Sequence, residues 1–457
     1  MLNKGDIIEA TVESFALPEC VGVVRHQNWV IFVPNVLPGE KCRVKIVKAK
    51  KNFLQGELIN LLEVSPSRIE PCCPHFNRGC GGCSLQNINY PEQIAIKEKN
   101  ALDTLIRIGK VDLSAIDYQG FLPSPQIFGY RNKMEFNFGE KNGNLVCGLR
   151  PKGKYWDIID LKSCYLMDTY FIQALLDFFC WYGKQHGLTG YDPVRKDGVL
   201  RNLLVRYNQS SDQYFIGLST VNHDLPGANA MIGEVTRLFP KISGIIHIIN
   251  NSPASALIFE EKKLLYGSDF FIESIGSIRY KISIDSFFQV NIHAGEFLFP
   301  KVAEYVDLQP GESLFDLYSG NGSIGLFLSR PGTRITGVDE NPQAVEDALY
   351  NAQLNSIDSY FTICGRVEKV LAGLTNQPVS KIVVDPPRAG LVTKVIDAIV
   401  HAFPKRIVYV SCNTSSLARD IAVFKDNGYV LKKITWIDLF PQTPHFEAVA
   451  LIEPSGK

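Results

Sequence analysis

Cys412 follows a β-branched run, Val408-Tyr409-Val410-Ser411, and precedes a helical pattern beginning about Thr414. A thiol at the carboxyl end of a strand faces the crevice of an open α/β sheet, and a helix N-terminus favours its thiolate. Glu447, in Thr443-Pro444-His445-Phe446-Glu447, starts the final strand and is a candidate base, with His445 the weaker alternative. A thiolate beside a carboxylate suits covalent catalysis on a pyrimidine. Addition of sulfur to C6 of uracil turns the ring into an enolate, so that C5 can take a methyl group. The base then removes the C5 proton and the thiolate leaves. The competing readings are a buried inert cysteine and a strand-edge acid.

A methyl donor needs its own site. Phe315-Asp316-Leu317-Tyr318-Ser319-Gly320-Asn321-Gly322-Ser323-Ile324-Gly325 places a glycine-rich turn between strand and helix, and Asp339 ends the next strand at ribose-binding distance. Alone, the glycines fit a dinucleotide as well as S-adenosylmethionine. Three features favour the latter. Asp316 precedes the glycines, where it can face an ammonium group; the fourth strand ends in Asp385-Pro386-Pro387-Arg388; and the chain finishes in a hairpin. Gln289, ahead of the first strand, can hydrogen-bond the methionine part.

A third group of residues lies far upstream. Cys73-Pro74-His75-Phe76-Asn77-Arg78-Gly79-Cys80-Gly81-Gly82-Cys83 gives C-x6-C-x2-C, with Cys164 the best distant fourth ligand and Cys72 able to replace Cys73. Four thiolates suit zinc or an iron–sulfur cluster, and ligand count does not separate them.

These residues must be positioned by three parts. Residues 1–63 read as short strands of an OB-like β-barrel, whose Lys41, Arg43, Lys45, Lys48, Lys50 and Lys51 can track an RNA backbone or protect a strand edge. Residues 64–280 form a central α+β region with the cysteine loop, in which a helix over about 92–119 packs on the catalytic part. Residues 281–457 alternate strand and helix and read as a doubly wound, Rossmann-like domain. Its strands are expected at Ser313–Leu317, Arg334–Asp339, Tyr360–Cys364, Lys381–Asp385, Arg406–Ser411, Val430–Trp436 and Glu447–Ile452, the last two as an antiparallel pair. The whole is therefore a multidomain α/β chain.

Lys+Arg and Asp+Glu are equal at 47 each, so net charge gives no argument for a nucleic-acid partner, and only a local basic patch can. No apolar run approaches the roughly 18–20 residues that cross a bilayer. The amino terminus lacks the apolar stretch of a secretion signal, so a cytoplasmic protein is expected and disulfides are not; with no sign of oligomerisation in the sequence, a monomer is assumed.

Taken together, the barrel, the cysteine loop, the glycine turn, Asp385-Pro386-Pro387-Arg388, Ser411-Cys412-Asn413 and Glu447 resemble the RNA 5-methyluridine methyltransferases. The nearest resemblance is to the iron–sulfur-containing 23S ribosomal RNA (uracil-5-)-methyltransferases with an N-terminal TRAM domain, and it covers essentially the whole chain. It implies a class I methyltransferase domain and S-adenosylmethionine contacts at Gln289, Tyr318, Ser323, Asp339 and Asp385. It also implies Cys412 as nucleophile, Glu447 as base, and a [4Fe-4S] cluster on Cys73, Cys80, Cys83 and Cys164. The departures are a first cysteine gap one residue longer than usual, Asp339 for the commoner Glu with Glu340 beside it, and Ser323 for Asn. Arg366, where small or acidic residues are common, is left out of the expected site. Enzymes of this kind that act on tRNA typically lack both barrel and cysteine loop, which favours ribosomal RNA. A nicotinamide-dependent oxidoreductase and a non-catalytic RNA-binding protein are the more distant alternatives.

Overall fold

A computed structural model describes residues 2–223, 225–373 and 379–456. Strands β1 (Ile7–Ala16), β2 (Val21–His26), β3 (Trp29–Pro34), β4 (Lys41–Ala49) and β5 (Leu54–Glu63) close into a barrel in the order β1-β2-β3-β5-β4. Alternation builds it: Cys42, Val44 and Ile46 of β4 point inward, while Arg43 and Lys45 remain exposed. The basic strip is partly paired. Arg43 lies 2.7 Å from Glu9 and Lys41 3.9 Å from Glu63, acids that neighbouring strands bring alongside.

The cysteine loop leads into α1 (Tyr90–Arg107), capped by the Asn89 side chain, which accepts from the Glu92 N–H. The expected helix over 92–119 ends at Arg107. A short 3-10 turn intervenes, and β6 (Asp117–Leu122) then joins the catalytic sheet as an edge strand. Tyr118 and Phe121 pack on the apolar core of that sheet, and their burial there outweighs helix continuation.

A central seven-stranded sheet follows, with α2 (Thr169–Gln185) and α3 (Ala228–Leu238). Its strands are β7 (Lys133–Lys141), β8 (Asn144–Leu149), β9 (Ile159–Asp160), β10 (Leu200–Asn208), β11 (Gln213–Thr220), β12 (Ile242–Ile249) and β13 (Glu261–Gly267). The spatial order is β13-β12-β11-β10-β7-β8-β9. The expected boundary at 280/281 cuts through the hairpin of β14 (Phe270–Ile275) and β15 (Ile278–Ser283). Tyr280 and Ile282 of this hairpin share a core with Leu314 and Val408 of the catalytic sheet.

After α4 (Ile292–Val306) come β16 (Ser313–Leu317), α5 (Ser323–Leu328), β17 (Arg334–Asp339), α6 (Pro342–Leu354), β18 (Tyr360–Cys364) and α7 (Val367–Gly373). The chain then runs through β19 (Lys381–Val384), α8 (Thr393–His401), β20 (Arg406–Ser411), α9 (Thr414–Asp426), β21 (Tyr429–Ile437) and β22 (Glu447–Pro454). The sheet order is β18-β17-β16-β19-β20-β22-β21-β6, with β22 antiparallel to both its neighbours. Both faces are covered. Val408 and Val410 enter one core, and Ile407 and Tyr409 enter the other. The strand order reverses between β16 and β19, which opens a crevice at their carboxyl ends.

Candidate active site

One cavity of about 780 Å³ occupies that crevice, and its wall contains Gln289, Tyr318, Ser323, Asp339, Asp385, Cys412 and Glu447. All seven residues expected from the sequence thus meet in one place, although they span 158 positions from 289 to 447. Arg366, left out of the expected site, also stands in the wall, beside Glu368 at 3.3 Å. Its position two residues past the third parallel strand was the available signal.

The turn after β16 is held by its own acids. Asp316 Oδ2 accepts from the Gly325 N–H at 2.9 Å, and Asp339 Oδ2 accepts from the Gly320 N–H at 2.9 Å. Asp339 Oδ1 accepts from the Asn341 N–H, also at 2.9 Å. Tyr318 adopts φ +62°, a left-handed conformation costly for a bulky residue and common where a site fixes the backbone. Gly325 cannot carry a side chain, because a Cβ there would stand 2.7 Å from Asp316 Oδ2. Asp316 Oδ1 is buried without a hydrogen-bond partner. That orphaned carboxylate oxygen, in a cavity also walled by Asp339, Glu340 and Asp385, fits the ammonium and sulfonium charges of S-adenosylmethionine. Gln289 is fixed from behind, since Asn132 Nδ2 donates to its carbonyl at 2.8 Å.

Electrostatics correct one expectation. Burial, together with Glu447 and Asp385, pushes the Cys412 thiol up to about 11, against the pull of Arg388. Asn413 caps α9 through its side chain, so Cys412 lies just outside the helix, and its neighbours outweigh the dipole. Burial also lifts Asp385 to about 7 and holds Glu447 well above the ordinary carboxylate range, with Asp385 adding to the latter. Without ligand, burial therefore favours the neutral form of both Cys412 and Glu447. A cation bound in the cavity favours the ionised form of each. His445, expected as the weaker base, accepts from Arg388 Nη2 at 3.0 Å, and burial lowers it to about 4, so it is neutral.

The 438–446 loop leading to Glu447 is gripped from outside the catalytic sheet. Lys97 of α1 pairs with Asp438 at 2.7 Å, and Tyr90 OH donates to the other oxygen of that carboxylate at 2.9 Å. Gln93 Nε2 donates to Gln442 Oε1 at 2.9 Å. The Ser84 and Leu85 N–H groups, which directly follow Cys83, donate to the Gln442 carbonyl at 2.8 and 3.1 Å.

Cys73, Cys80, Cys83 and Cys164 line a second, small cavity, closed by Leu149, Leu161 and Leu166. Cys72 is outside it and exposed, so the wall favours Cys73. His75 is buried, and its Nε2 accepts from the Lys162 N–H at 3.2 Å, which ties the loop to the segment before Cys164. Burial raises Cys83 to about 12 and Cys164 to about 11, with neighbouring cysteines adding to both shifts. Soft sulfur donors of this kind fit a thiolate-ligated metal centre. No group of three or more His, Cys, Asp or Glu side chains among the described residues forms a metal-ion site as it stands.

The strand order, the cavity and the barrel define a class I methyltransferase fused to an OB-type barrel. Residues 246–454 match the family described as tRNA (Uracil-5-)-methyltransferase, and residues 2–59 match the TRAM domain. A protein from Halalkalibacterium halodurans, named an uncharacterized RNA methyltransferase, is 34% identical over 457 residues, which is 99% of this chain and 98% of its own. Another so named, from Bacillus cereus, is 36% identical over 453 residues, covering 99% and 97%. The crystal structure of the Pyrococcus abyssi tRNA (uracil-54, C5)-methyltransferase with S-adenosyl-L-homocysteine superimposes with a TM-score of 0.78 at 27% identity, covering 97% of this chain and all of that one. This chain belongs to the RNA 5-methyluridine methyltransferase family. It is an S-adenosylmethionine-dependent RNA uracil-5-methyltransferase.

Proposed function

We propose that the enzyme methylates C5 of a uridine in 23S ribosomal RNA through a transient bond between Cys412 and C6. The observation that carries this reading is that Cys412 and Glu447 share a wall with Asp385 and the S-adenosylmethionine-type turn. The Cys412 thiol gives its proton to solvent, its sulfur adds to C6, and negative charge passes to the ring oxygen and C5. S-adenosylmethionine, when bound, would supply the methyl group that C5 takes, its sulfur–methyl bond breaking to leave S-adenosylhomocysteine. Glu447 in its carboxylate form then removes the C5 proton, the C5–C6 double bond re-forms, and the thiolate is released. Gln289, Tyr318, Ser323, Asp339 and Asp385 would hold the donor, and the unpartnered Asp316 oxygen would offer a counter-charge to its ammonium.

Cys73, Cys80, Cys83 and Cys164 hold a [4Fe-4S] cluster in this reading, supported by the four-sulfur wall and the family resemblance. The resemblance of the cysteine loop to that of the 23S enzymes supports ribosomal RNA. A transfer RNA substrate is the second reading, favoured by the Pyrococcus abyssi enzyme, which acts on tRNA and covers nearly this whole chain. Mass-spectrometric mapping of 5-methyluridine in 23S rRNA and tRNA, with and without the gene, tests both. Loss of one 23S site supports the first, and loss confined to tRNA overturns it.

A further inference from the structure

Cys412 and Arg388 also belong to the wall of a smaller cavity, of about 120 Å³, whose wall contains none of the residues of the glycine-rich turn. Four parts of the chain build it. The barrel gives Leu17 and Pro18, α1 gives Asn100 and Thr104, the start of α9 gives Thr414 and Ser415, and the hairpin loop gives His445. Asn100 holds the barrel there: its Nδ2 donates to the Phe15 carbonyl at 2.9 Å, and its Oδ1 accepts from the Leu17 N–H at 3.3 Å.

The two cavities differ in charge. The larger wall holds Asp316, Asp339, Glu340, Glu368, Asp385 and Glu447 against two arginines. The smaller wall holds no carboxylate, and with His445 neutral its one charged group among the described residues is Arg388. An acidic cavity takes a cationic donor, while a small polar cavity with one guanidinium takes an anion. Its volume is that of roughly four waters at about 30 Å³ each, room for a tetrahedral phosphate group.

Covalent geometry points to the same occupant. In the uracil ring, C6 is bonded to N1, and N1 carries the ribose. A C6–sulfur bond at Cys412 therefore brings the sugar, and the phosphates on it, close to that sulfur. We propose that the small cavity binds a backbone phosphate of the target nucleotide, with Arg388 as its cation and the barrel, α1 and α9 as its walls. This rests on the Cys412–C6 reading above. It gives the barrel a part in seating the reacting nucleotide.

The test places charge on a wall residue outside the donor site. Ser415→Glu and Ser415→Lys have side chains of similar bulk and opposite charge, and Thr104→Glu and Thr104→Lys repeat the pair on α1. Each is mixed with S-adenosylmethionine and 5-fluorouridine-substituted transcripts of 23S rRNA and tRNA, and the denaturation-stable protein–RNA adduct is timed. S-adenosylhomocysteine affinity serves as the folding control. We expect both Glu variants to trap RNA at least about tenfold more slowly at limiting RNA, the effect of a like charge facing a phosphate, and both Lys variants to stay within a few-fold of wild type. Donor affinity should be unchanged throughout. Equal rates in Glu and Lys variants, whether normal or reduced, overturn the phosphate assignment while leaving the covalent reading intact. Failure of the wild type to trap either RNA removes that reading and this inference with it.

Discussion

The ammonium nitrogen of Lys97 stands 2.7 Å from Oδ1 of Asp438, and neither side chain is exposed to solvent. Burial lowers the Lys97 ammonium, and the Asp438 carboxylate counters it. The pair joins α1 to the loop that delivers Glu447, across 341 positions of sequence. Replacing one partner leaves a buried charge without its counterion. Lys97→Met should therefore destabilise by about 3–5 kcal/mol, read in urea unfolding. The double variant Lys97→Met/Asp438→Leu should recover part of that loss, because no lone charge remains.

Glu447→Gln should separate the steps of the reaction. Addition at C6 and methyl transfer do not need the C5 proton to leave, whereas release of product does. Turnover should fall by roughly 10²–10⁴-fold, the usual share of a positioned base. Denaturing gels should show protein–RNA adduct accumulating with ordinary, unfluorinated RNA.

The carboxyl of Asp316 is raised to about 7 by burial, with Asp385 and Asp339 adding and the Gly325 N–H opposing. An ammonium beside it favours the carboxylate, so donor binding below pH 7 must release its proton. Affinity for S-adenosylhomocysteine should then fall as pH drops below about 7, and Asp316→Asn should bind weakly and lose that dependence. In the ligand-free protein the sign is opposite. A raised carboxyl contributes stability that is complete below its unfolded value, about 3.9, and is lost as pH rises through about 7. Between pH 5 and pH 8, roughly that window, the melting temperature of Asp316→Asn should gain on wild type.

Protein prepared without oxygen should contain iron and acid-labile sulfide, with the broad visible absorbance of a thiolate-bound cluster. Cys164→Ser should lose both, and Cys72→Ser should keep them, because only the former lines the sulfur cavity. Zinc in place of iron would contradict the cluster assignment.

The strands of the catalytic sheet were legible because each is a short β-branched run bounded by turn residues, and β16, β17, β18 and β20 have the bounds that pattern predicts. The residues at their carboxyl ends follow from topology, and the cavity wall contains them. Three features were not legible. Strand β6 pairs in parallel with β21, more than 300 residues away, and local pattern carries no information about such a partner. Lys97, Gln93 and Tyr90 sit on one amphipathic helix, where they read as ordinary polar positions. The protonation of Cys412 depends on how much water the folded chain removes and on two carboxylates from other strands, neither of which a helix-terminus argument contains.

The most direct measurement is mass spectrometry of the protein after incubation with S-adenosylmethionine and 5-fluorouridine-substituted RNA, followed by protease and nuclease digestion. Fluorine cannot leave as a cation, so the reaction should stop with the modified ring attached. The account predicts a methylated fluorouridine nucleotide on the peptide containing Cys412, and none in Cys412→Ala. An adduct on another residue, or full methylation of ordinary RNA by Cys412→Ala, would contradict it.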